Sequence, residues 1–98
     1  MECCQERNKK TPRDEKCLKN LKTRLNRLNG QINGISRMLD ENRYCGDILI
    51  QIAAIESALK EIGYIILTDH LKTCVSEDIK NNDFSSLEEA IEITKKLK

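Results

Sequence analysis

Tryptophan is absent, proline occurs once, and aromatic side chains number only three, two Tyr and one Phe. That leaves little of the material from which sheets are built, while the low Gly and Pro content and 34% charged residues suit helices, so an all-α fold is expected. No apolar run reaches the roughly 18 residues of a membrane-spanning helix, and the opening MECCQERNKK has no apolar stretch of the signal-peptide kind. A cytoplasmic location is therefore expected. There is one histidine, no Gly-rich phosphate loop, and no Ser/His/Asp or Cys/His constellation that helices of one chain would bring together, so the chain does not read as an enzyme. At 98 residues it is long enough for one domain but buries only a modest core alone, and association with further copies would supply the rest.

The net charge of +1 conceals an asymmetry. Residues 1–44 carry eleven Lys/Arg against six Asp/Glu, and residues 45–98 carry six against ten. No acidic residue falls between Glu15 and Asp40, where Lys16, Lys19, Lys22, Arg24, Arg27 and Arg37 lie. A polyanion is the natural partner of such a surface. Five cysteines, an odd number, suggest free thiols, metal ligands or redox-active groups in preference to a disulfide framework.

Residues 1–14 are polar, hold Pro12 and lack apolar periodicity, which reads as a flexible N-terminal arm; residues 15–98 read as a single all-helical domain. Leu18, Leu21, Leu25, Leu28, Ile32, Ile35 and Leu39 then alternate steps of three and four, the seam of a helix packed on another helix, running to about Glu41. Gly30 and Gly34 within it suggest close helix approach or a local adjustment of the helix. After a link at Asn42, Arg43 and Tyr44, a second helix is predicted from Cys45 to about Ile79. One face carries Cys45, Ile48, Leu49, Ile52, Ile55, Leu59, Ile62 and Ile66, and another carries Ile50, Ala53, Ala54, Ala58 and Ile65; a helix apolar on two sides is enclosed in a bundle. Asn81, Asn82 and Asp83 break the pattern, and Ser85 or Ser86 is expected to cap a short third helix carrying Leu87, Ile91 and Leu97.

Cys45, His70 and Cys74 are the candidate metal ligands. The 29 steps from one cysteine to the other, read as one unbroken helix, span about 44 Å, far beyond the reach of one ion. His70 and Cys74, four residues apart, share a helix face. The third ligand must then be Cys45 of another copy, which an antiparallel pairing of two such helices would supply at both ends of a dimer. Two thiolates and an imidazole form a soft, three-coordinate set that favours Cu(I) over Zn(II), Ni(II) or Co(II). The plainer alternative makes Cys45 and Cys74 buried small hydrophobes. Tyr44 either supports the ligand beside it or merely anchors the start of the helix. Cys3, Cys4 and Cys17 have no neighbours that would fix a geometry and are assigned no role.

Arg24, Arg27 and Gln31 lie off the leucine seam at helical spacing, preceded by Lys16, Lys19 and Lys22. These residue types suit phosphate contacts, with Arg and Gln also able to reach base edges. A solvated helix face is the alternative.

The motifs RLNRLNGQ, NRYCGDILIQI and DHLKTCV, within Leu21 to Val75, resemble the copper-sensing CsoR-like repressors of the CsoR/RcnR/FrmR superfamily. The resemblance implies a three-helix protomer, an antiparallel four-helix-bundle dimer, and dimers paired into a flat homotetramer. It further implies a transcriptional repressor that binds operator DNA when metal-free and is released by Cu(I). Cys45, His70 and Cys74 match the copper sensors' ligands; nickel or cobalt sensors would carry His at position 74, and persulfide sensors lack the histidine. Arg24, Arg27 and Gln31 match the family's DNA-binding stripe, and Asn33 departs from it where many members are basic. The resemblance also offers Glu89 as the carboxylate that backs the ligands. Two alternatives stand beside this reading: a thiol- or persulfide-sensing repressor using the same two cysteines, and a helical copper buffer with no DNA role.

Overall fold

The computed structural model describes residues 13–97, and all regular structure there is helical: α1 (Glu15–Asp40), α2 (Cys45–His70), a π turn (Leu71–Val75), α3 (Ser76–Lys80) and α4 (Ser85–Lys96). The expected all-α chain of three helical segments is what forms, the middle segment being α2, the π turn and α3 in succession. Most of the N-terminal arm, including Cys3 and Cys4, lies outside the described residues.

Local chemistry sets the ends. Asp14, with extended backbone, accepts the Cys17 amide at 2.6 Å through Oδ1, which satisfies one of the orphan donors of the first turn, and Glu15 and Arg37 complement the dipole at the two ends of α1. At the other end Asn42 turns left-handed (φ 54°), its amide reaching Leu39 O and that of Arg43 reaching Met38 O. Asn82 (φ 60°) repeats this after α3, with amides of Asn82 and Asp83 on Ile79 O and Asp78 O. Both are Schellman stops with asparagine in the place usually held by glycine.

Contacts gather in two compact units, residues 14–62 and residues 63–98 together with Arg13. In the first, Leu21 and Leu28 of α1 and Ile48 and Ile62 of α2 are buried. The leucine seam divides in two: Leu21 and Leu28 are buried, whereas Leu18, Leu25, Ile32 and Leu39, spaced every seventh residue, are 42–60% exposed. Nor is α2 enclosed within one chain, since Leu49 and Ile50 are more than 60% exposed. The expected close approach at Gly30 does not occur here either, for a Cβ there would meet nothing within 4 Å. These positions have apolar faces that one chain alone does not cover.

In the second unit the π turn packs on α3 and α4 around Cys74, Val75, Asp78, Ser86 and Ala90, all buried. Gly63 lets Leu97 come close, a Cβ there falling 2.9 Å from Leu97 Cδ2, and Tyr64 Oη donates to Leu97 O. The cap of α4 differs from expectation. Ser85 and Ser86 sit inside the first turn, and Asp83 Oδ1 takes the Ser85 amide at 3.0 Å and the Ser85 hydroxyl at 2.7 Å, a charged acceptor displacing a neutral one.

Candidate functional site

The helix expected to run unbroken from Cys45 to Cys74 changes register after His70. The Ser76 amide reaches back five residues to Leu71 O, the signature of a π turn, and such turns are often found at functional sites. His70 and Cys74 are therefore not stacked as an α-helix would stack them. Cys74 is driven into the second unit, 1% exposed, and His70 is only half-buried.

His70 lines a cavity of about 320 Å³ whose apolar wall is formed by Ile66, Leu67, Ile93 and Leu97 and whose polar groups are His70, Arg13 and Glu89. The carboxylate of α4 named from sequence thus shares a cavity with the imidazole. Arg13 Nε stands 3.8 Å from Asp69 Oδ2, beside His70, a loose ion pair that spacing did not suggest. Thr73, also unforeseen, donates from Oγ1 to Asp69 O at 2.8 Å and lies 3.6 Å from Cys74 Sγ.

Cys45 opens α2 as an exposed free thiol. With 26 residues at 1.5 Å each, α2 is about 39 Å long. Against metal–ligand bonds of about 2.0–2.3 Å, its two ends cannot share an ion. Among the described residues no three of His, Cys, Asp or Glu converge to hold a metal. Tyr44 is 75% exposed, its ring lying against Gly46, where a Cβ would collide with it. The donor set remains soft, two sulfurs and one imidazole nitrogen. Cys17 and Cys45 are the free thiols expected from composition, but the Cys74 sulfur is disulfide-bonded in this structure, so reduction must precede any role as a thiolate. Composition counts sulfurs without saying which of them meet.

On α1, Lys16, Lys19, Arg24 and Arg27 line a shallow groove of about 430 Å³ together with Asn20 and Thr23. Asn20 Oδ1 accepts Arg24 Nε at 2.8 Å, which orients the guanidinium. Spacing could have identified Asn20 and Thr23, which stand four and seven residues after Lys16 on the same face. Lys22 is not among the residues lining the groove. Gln31 is half-buried, its Oε1 enclosed without a hydrogen-bond partner among the described residues. No described helix is long and apolar enough to cross a membrane.

Residues 18–96 match a family model described as metal-sensitive transcriptional repressor. The chain is 40% identical over 74 residues to the copper-sensing transcriptional repressor CsoR of Bacillus subtilis (strain 168), spanning 74% of this chain and 73% of that protein. It is 43% identical over 60 residues to the copper-sensing transcriptional repressor RicR of Mycobacterium tuberculosis (strain ATCC 25618 / H37Rv), 61% of this chain and 62% of that one. Among solved structures, the copper-sensing repressor CsoR with Cu(I) from Geobacillus thermodenitrificans NG80-2 superposes with a TM-score of 0.81 at 38% identity, over 89% of this chain and 92% of that one. The nickel-responsive transcriptional regulator InrS superposes with a TM-score of 0.73 at 31% identity, over 90% and 100%.

Proposed function

The chain belongs to the metal-sensitive transcriptional repressors, and from that premise we propose that it is a copper(I)-responsive repressor, bound to operator DNA when metal-free and released when Cu(I) binds between subunits. The observation that carries the copper site is the separation of its parts: a free, exposed Cys45 at one end of α2, and His70 followed by Cys74 at the other. In an antiparallel dimer Cys45 of one copy meets His70 and Cys74 of the next. Two sulfurs and one nitrogen favour Cu(I) over Ni(II), which prefers more nitrogen, and so separate this chain from its nickel-responsive neighbour. Glu89, which lines the same cavity as His70, would accept from the imidazole of the copper-bound form and fix its orientation, and Tyr44 would back Cys45 at the other end. Because Cys74 is 1% exposed, its sulfur needs local rearrangement as well as reduction before a second copy can reach it.

The groove of Lys16, Lys19, Arg24 and Arg27 meets the phosphate backbone, with Lys22 and Gln31 adding contacts beyond its walls. The uncovered faces of α1 and α2 build the four-helix-bundle dimer and pair dimers into a flat homotetramer, and the protein acts in the cytoplasm, where its operator lies. By linkage, Cu(I) favours the free protein over the DNA complex, and DNA weakens Cu(I) binding by the same factor. The second reading, thiol-state sensing by Cys45 and Cys74, has in its favour only that the Cys74 sulfur is oxidised, for Cys45 is a free thiol here and is not its disulfide partner. A copper buffer without a DNA role accounts for no feature of the cationic groove.

The test selects DNA that the reduced, metal-free chain binds from a random-sequence pool, then titrates Cu(I) into the complex. Release at one Cu(I) per chain is expected. Retention of DNA at saturating Cu(I), with release on oxidation instead, would replace the copper reading with the thiol one.

A further inference from the structure

We propose that Thr73 is a positioning residue for Cys74: its hydroxyl holds open the π turn that aims the sulfur. In a regular α-helix the Thr73 amide would donate to the Asp69 carbonyl four residues back. Here the Thr73 hydroxyl donates to that carbonyl at 2.8 Å. A side chain that takes a backbone acceptor competes with the helical ladder and bends it. Thr68 makes the same bond to Tyr64 O within regular α2, so the bond alone does not open a turn. Thr73 differs because it lies inside the π turn with its oxygen 3.6 Å from Cys74 Sγ, touching the ligand on one side and the Asp69 carbonyl on the other.

The extra residue in this turn rotates everything after it by on the order of 100°, one residue's share of a 3.6-residue turn. Cys74, Val75 and Asp78 accordingly all face the interior, each at most 2% exposed. An unbroken α-helix would aim Cys74 elsewhere relative to His70. Threonine suits the task because its β-branch stiffens χ1 while its hydroxyl reaches the carbonyl a turn back. Valine keeps the shape and loses the hydroxyl; serine keeps the hydroxyl and loses the stiffness.

The inference rests on the copper reading above, and the experiment separates the two. In reduced, metal-free protein, NMR couplings across hydrogen bonds identify the carbonyl that accepts the Ser76 amide: Leu71 in the π register, Lys72 in the α register. Wild type and Thr73→Ser should show Leu71, and Thr73→Val should show Lys72. Cu(I) affinity, read by chelator competition, should fall about tenfold in Thr73→Val and stay near wild type in Thr73→Ser. Thr73→Val that keeps the Leu71 coupling, or keeps wild-type Cu(I) affinity after its register has changed, overturns the proposal. A wild-type chain that binds no Cu(I) would instead remove the copper reading, while the metal-free couplings still decide whether Thr73 sets the turn.

Discussion

Mixing two inactive variants provides a severe test of the shared site. In Cys45→Ala every site of a homodimer lacks the sulfur borrowed from the other copy, and in Cys74→Ala every site lacks its own. Neither variant alone should hold Cu(I) with wild-type affinity. Unfolded together and refolded in equal amounts, they should pair at random, making about half of the dimers mixed. In each mixed dimer the intact Cys45 of the Cys74→Ala chain meets the intact His70 and Cys74 of the other, restoring one of the two sites. High-affinity binding should therefore rise from none to about one quarter of a Cu(I) per chain, against one in the wild type. Anaerobic chelator competition under reducing conditions reads this directly. The arithmetic depends on the 26-residue length of α2, because a site closed within one chain would give no recovery in any mixture. No recovery, or full binding by Cys45→Ala alone, would refute the reasoning.

Replacing both Arg24 and Arg27 by Ala should weaken DNA binding and lower the slope of log affinity against log salt by about two per chain, measured by fluorescence anisotropy across salt concentrations. Removing the cap with Asp14→Ala should cost about 1 kcal/mol, seen in denaturant unfolding monitored by circular dichroism. The Asp83 carboxyl is held below its ordinary value by the Ser85 amide and then by the Ser85 hydroxyl. Because its folded pKa is the lower one, the stabilisation is present above the ordinary carboxylate range and is lost as pH falls through the folded value. A carbon-detected NMR titration should place the Asp83 midpoint below the ordinary aspartate value, and Ser85→Ala should raise it.

Much of the helical plan was legible because it depends on local chemistry. The leucine period marked α1, and the breaks at residues 42–44 and 81–83 were read from the sequence, though the Asp14 cap and the left-handed turns at Asn42 and Asn82 were not. The π turn was not legible: the apolar period passes smoothly through Ile62 and Ile66, and nothing in the order of residues says that the Ser76 amide will reach back to Leu71 O. At the start of α4 the expected cap was Ser85 or Ser86, and the charged oxygen of Asp83 took the role instead. Of the candidate site, the separation of Cys45 from His70 at the two ends of α2 could be read directly. The burial of Cys74 could not, because it follows from the changed register and from packing on α4. Asn20 was within reach of spacing arguments that attended only to charge.

The uncovered Leu18, Leu25, Ile32 and Leu39 bear on thermal behaviour. Sealing half of a leucine or isoleucine side chain is worth about 1 kcal/mol, so if the proposed dimer covers this row, association and folding become parts of one equilibrium. Dilution should then lower the melting temperature even though no bond within a chain has changed. At low copy number, unfolding would compete with repression.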